Sequence, residues 1–68
     1  MAFRWVDPKG GRSFDYPTEA AARTNAIYNV RVRAGVPAER AGRALDKDLE
    51  DTLWKSMKHA GWKIEVDV

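Results

Sequence analysis

The sequence contains no cysteine and a single histidine, His59, among its 68 residues. Disulfide staples and a Cys/His zinc cluster are thereby excluded, which are two of the usual ways a domain this small is held together. No apolar run approaches the ~18 residues a membrane span needs, and the first residues lack the basic-then-apolar layout of a secretion signal. The expectation is a cytoplasmic protein with no membrane association. Large core formers are also scarce, because ten of the hydrophobic residues are alanines. Chains near this length bury only about 60% of their unfolded surface, so a protein partner or self-association as a homodimer is the expected supplement.

Catalytic patterns are missing as well. Ser56 and His59 lie three residues apart, within reach on one helix, but no carboxylate is placed to orient the imidazole and no oxyanion loop follows. Asp46, Asp48, Glu50 and Asp51 resemble a cation-binding run only superficially. An EF-hand loop requires glycine at its sixth position and glutamate at its twelfth, where Asp51 and Met57 stand. Gly10-Gly11 has no Gly-Lys-Ser/Thr continuation to cradle a phosphate. The expectation is a non-enzymatic protein with no catalytic residues, metal, cofactor or small-molecule substrate.

What is present is a chain with clear punctuation. Residues 2–7 and 12–16 are aromatic and alternating and flank Asp7-Pro8-Lys9-Gly10-Gly11, the chemistry of a β-hairpin turn. Phe3, Trp5, Phe14 and Tyr16 are expected on its buried side, with Arg4 and Arg12 outward. Thr18 is a candidate N-cap with Glu19 at the positive end of a helix dipole. The segment 19–34 carries two signals: Ala20–Ala22 favours a helix, while Tyr28, Val30 and Val32 alternate as in a strand over 27–33. Ala34-Gly35-Val36 is a Schellman-type ending and decides for a helix, apolar on two sides.

Ala38, Ala41, Gly42, Leu45, Leu49, Leu53, Ser56 and Ala60 fall within one helical arc. One continuous helix is therefore expected over 38–60, closed by Gly61. Trp62, Ile64, Val66 and Val68 alternate with charged residues as a strand over 62–68. The predicted fold is a single α+β domain, β-β-α-α-β, with a three-stranded antiparallel-type sheet packed against two helices.

Two surfaces emerge from that reading. Trp54 projects opposite the predicted apolar stripe beside Glu50, Met57 and Lys58, the composition of a protein-protein hot spot. A partner-binding role is assigned to these four residues as the leading expectation, in a small binding or regulatory protein of bacterial or phage type. The alternative is DNA or RNA. The front of the chain, residues 1–45, holds eight basic and four acidic side chains, whereas 46–68 holds four and six. Arg31, Arg33, Arg40, Arg43 and Lys47 cluster where a helix, a short turn and a second helix outline a helix-turn-helix. The hairpin followed by Thr-Glu-Ala-Ala-Ala also resembles the sheet-then-helix layout of AP2-type and integrase-arm DNA-binding domains, a resemblance that implies nucleic acid without assigning residues.

Overall fold

The computed structural model describes residues 1–67. Its elements are β1 (Ala2–Val6), α1 (Glu19–Arg33), α2 (Ala38–Ala41), α3 (Lys47–Ala60) and β2 (Lys63–Asp67). β1 and β2 form a two-stranded antiparallel sheet in which Ala2 faces Asp67, Arg4 faces Glu65 and Val6 faces Lys63. Helix α1 packs on both strands, on α2 and on α3, so it is the element around which the others assemble.

The predicted three-stranded sheet is corrected to two strands. Segment 12–16 meets β1 only at two isolated bridges, Val6 with Arg12 and Phe3 with Tyr16. Between them it carries Ser13, Phe14 and Asp15 against Arg4 and Trp5 of β1, one residue too many for a regular ladder. Ser13 absorbs the mismatch: its backbone N–H donates to the Trp5 carbonyl at 3.0 Å, and its hydroxyl accepts from the Trp5 N–H at 3.0 Å. Phe14 is thereby ejected to 87% exposure and leaves the predicted buried side, where Phe3 and Tyr16 are half-buried and Trp5 is buried. The turn itself is tied by Asp7, whose Oδ1 accepts from the N–H groups of Lys9 and Gly11. A Cβ at Gly11 would lie 2.8 Å from Asp7 Oδ2, so a side chain there would push the Asp7 carboxylate away from the turn it ties.

Helix α1 starts at Thr18, whose hydroxyl accepts from the Ala21 N–H at 3.1 Å. It ends in a Schellman motif, with Val36 N–H donating to Arg31 C=O, Gly35 N–H to Val32 C=O, and Gly35 at φ 94°. The strand alternative for 27–33 is not adopted. Ala22 and Ala26, both 0% exposed, let the helix axis approach its neighbours closely. Ile27 beside them joins the core cluster of Trp5, Trp54, Met57 and Trp62. Trp5 Nε1–H donates to Asn25 Oδ1 at 2.8 Å, which satisfies the one polar atom of a buried indole. Trp5 and Trp62 meet with ring centroids 5.2 Å apart and planes tilted by 50°.

The single helix predicted over 38–60 is also corrected. α2 is one turn long, and residues 42–46 lead to α3, whose N-cap Asp46 accepts from the Asp48 N–H at 2.9 Å. A capping carboxylate preceded by glycine starts a new helix with its own phase. Glu50, Leu53, Trp54 and Met57, spaced i, i+3, i+4, i+7, now face inward. Leu49, the centre of the predicted stripe, is 55% exposed, and Ser56 and Ala60 are exposed with it. At the far end Gly61 adopts φ 113°, and Trp62 folds back so that its N–H donates to Met57 C=O.

Candidate functional site

The rotation of α3 dismantles the predicted hot spot. Trp54 is 7% exposed and Met57 is buried beside it; both belong to the core. Glu50 is half-buried and lies 3.8 Å from Arg23 Nε, an ion pair that links α3 to α1. Among the described residues that Nε has no hydrogen-bond partner, so Glu50 is its one compensating charge. Only Lys58 of the four is exposed. The expected exposed tryptophan is therefore corrected to a core residue, because the predicted stripe ran unbroken from Ala38 to Ala60, whereas the break at 42–46 gives α3 a phase of its own.

The basic residues divide differently. On the outer face of the sheet, Arg4 Nε donates to Asp15 at 3.0 Å, and its guanidinium reaches Asp67 at 3.2 Å and Glu65 at 3.8 Å. Arg12 Nε donates to Glu65 at 3.1 Å. Hydrogen bonding to Asp15 raises the Arg4 pKa, and hydrogen bonding to Arg12 holds the Glu65 carboxyl below its ordinary range. Arg33 sits 5.6 Å above the Trp62 ring and 3.7 Å from Asp7. It covers the indole face as a cation–π contact instead of standing free.

Arg31, Arg40, Arg43 and Lys47 take part in no ion pair among the described residues. Arg31 donates to the carbonyl of Ala41 at 3.3 Å, a contact that ties α2 to the end of α1 while leaving its charge uncompensated. Arg40, Arg43 and Lys47 are exposed on α2, on the 42–46 connection and at the start of α3. Four of the five predicted nucleic-acid residues thus share one end of the molecule, and Arg33 is the one withdrawn into a structural role.

Arg31 and Arg43, together with Glu50, line an open groove of about 590 Å³ between α1, the α2 region and Tyr16. Ala20, Ala21, Ile27 and Leu45 contribute its apolar lining, Tyr16 and Tyr28 its half-buried rings, and Arg31 and Arg43 its cations. Thr24 and Asn25 add polar groups. From the sequence, Tyr16 is expected on the hairpin's buried side and Tyr28 on one apolar side of the 19–34 helix, with no groove between them. Their shared groove arises because the bulged 12–16 segment is brought alongside α1, a juxtaposition of residues twelve apart that no local pattern encodes.

No group of three or more His, Asp or Glu side chains is placed to hold a metal ion among the described residues. No helix is long and apolar enough to cross a membrane. Ser56 and His59 are both exposed on α3. The chain matches no protein-family model, no curated protein and no solved structure.

Proposed function

We propose that this protein is a non-enzymatic binding module whose groove between α1 and α2 takes a single-stranded segment of nucleic acid. The observation that carries the reading is the contrast in charge compensation. Among the arginines, Arg4, Arg12, Arg23 and Arg33 each have a carboxylate within 4 Å, whereas Arg31, Arg40 and Arg43 have none among the described residues, and Lys47, like the other lysines, has none either. Cations left together without partners are an electrostatic footprint for a polyanion. The groove they border supplies tyrosine faces, on which a base of any identity can stack.

A single strand fits better than a duplex for reasons of geometry. A helix-turn-helix reads base edges from the N-terminal residues of its second helix. Here that helix, α2, is four residues long. The next, α3, opens with Asp46, Asp48, Glu50 and Asp51, which repel phosphates. The protein-protein reading loses its anchor with the burial of Trp54.

Fluorescence anisotropy with labelled single-stranded and duplex oligonucleotides tests the reading. The expected result is binding to the single strand that weakens with salt, with log K falling by roughly 0.7 per neutralised phosphate for each unit of log salt concentration. Substituting Arg40, Arg43 and Lys47 together by glutamine should flatten that slope by about two units. Absence of any binding at low salt, or a salt slope unchanged by the triple substitution, overturns the proposal.

A further inference from the structure

The sheet is paired on one side only. Within it β1 is central, flanked by β2 and by the bridges to segment 12–16. Phe3 exchanges both backbone hydrogen bonds with Tyr16, at 2.9 and 2.7 Å, and the Trp5 carbonyl accepts from Ser13. Antiparallel backbones alternate direction, so Ala2, Arg4 and Val6 turn their N–H and C=O groups towards β2. Their partners Asp67, Glu65 and Lys63 point back at β1. The N–H and C=O of Ile64 and Val66 are therefore the groups on the outer edge, and no described residue pairs with them. β2 contains no proline, glycine or bulge; its edge protection is its five-residue length and the charges of Lys63, Glu65 and Asp67, which oppose pairing with any strand that does not match them in sign.

The edge is also complementary to itself. We infer that two copies of this chain pair antiparallel along β2 about a twofold axis at Ile64, extending the sheet across the dimer. In that register Ile64 meets its symmetry mate as a hydrogen-bonded pair, and the Val66 N–H comes opposite the Trp62 carbonyl of the second copy, the Trp62 N–H being already held by Met57 C=O. Lys63 then lies opposite Glu65 of the second copy, twice by symmetry, in the non-hydrogen-bonded positions where side chains are closest. A twofold axis at Glu65 would bring two carboxylates together there, which disfavours that register. Val66, 47% exposed in the single chain, has its side chain on the same sheet face as Ile64 and Trp5 and gains cover in the dimer. The groove between α1 and α2 lies outside this edge, so the inference stands or falls independently of the nucleic-acid reading.

Sedimentation equilibrium over micromolar to millimolar protein, without nucleic acid, tests it. The expected result is a concentration-dependent shift from 7.7 kDa to twice that mass. Val66→Pro removes an outward N–H without touching the β1 ladder, a position where an edge strand accepts proline. Lys63→Glu replaces both cross-axis attractions by repulsion. Each substitution should weaken dimerisation roughly tenfold or more, the factor that about 1.4 kcal/mol commands, while far-UV circular dichroism of the monomer is retained. A wild-type chain that stays monomeric at millimolar concentration overturns the inference. So does a dimer that survives Lys63→Glu, whose exposed side chain keeps this variant folded even if Val66→Pro is not.

Discussion

The outer face of the sheet and the end of the molecule around α2 use the same residue type for opposite ends. On the sheet, Arg4 and Arg12 are enclosed by Asp15, Glu65 and Asp67, within 4 Å in every case. Around α2, Arg31, Arg40, Arg43 and Lys47 have no carboxylate within 4 Å among the described residues. In the first region the guanidinium is a cross-strand tie whose field is cancelled locally. In the second the charges add and are directed at solvent. An arginine's meaning is thus set by what the fold brings opposite it, and sequence clustering alone does not separate the two uses. Arg33 makes the point within one helix: two residues beyond Arg31, it is spent on Asp7 and the Trp62 ring.

The contrast can be attacked most severely through the core that supports both regions. Trp54→Ala should cost about 3–5 kcal/mol, against a total of roughly 3–10 kcal/mol for a domain of this length. Urea denaturation should show a largely unfolded chain. If the variant instead melts like the wild type, Trp54 is a surface residue and the assignment of faces on α3 is wrong.

A smaller effect is expected where the hairpin turn docks on the end of α3. Gly61 holds φ 113°, and a Cβ there would meet Pro8 Cβ at 3.2 Å. Gly61→Ala should lose about 1–2 kcal/mol from the left-handed backbone alone, read as a lowered urea midpoint, with the salt dependence of oligonucleotide binding unchanged. Loss of binding in step with stability would mean that the two regions are not separable.

The sharpest test of the contrast is a pair of charge removals. Arg43→Gln should leave the melting curve in place and reduce the salt slope of single-strand binding by about 0.7. Arg4→Gln should do the reverse, lowering the melting temperature and leaving the slope alone. Equal effects of both variants on binding would erase the distinction between paired and unpaired arginines.

Acid provides the smallest and most specific effect. The folded Glu65 carboxyl lies below its ordinary value of 4.5 because of Arg12, so the unfolded chain binds its proton first as the pH falls. The stability that Glu65 contributes is complete above that value and is lost as the pH drops through the depressed folded one. Glu65→Gln should flatten stability against pH in that acid window and leave neutral-pH binding intact. A pH profile identical to the wild type would show that the sheet-face network is not formed in solution.

Much of the architecture was legible locally. Thr18, Gly35 and Gly61 are read from the sequence as caps because capping is a contact between a side chain or backbone and the next turn. The burial of Ala22 and Ala26 was not legible, since a small residue carries no outward sign of close approach. The sheet count failed at Ser13, where a one-residue bulge changed a strand into two bridges, and the hot spot failed at Gly42–Asp46. A break of five residues changes the phase of everything after it.

The sequence by itself placed a helix over 19–34 and a strand over 62–68, within a residue of the observed α1 and β2, excluded disulfides, and set the positive charge in the front two thirds of the chain. Those are consequences of nearest-neighbour chemistry and composition. Tertiary structure alone decided which face of α3 is inside, because three tryptophans far apart in sequence compete for one small core and rotate the helix to share it. It also decided which arginines are neutralised, since the Coulomb interaction falls with distance in space and takes no account of distance along the chain.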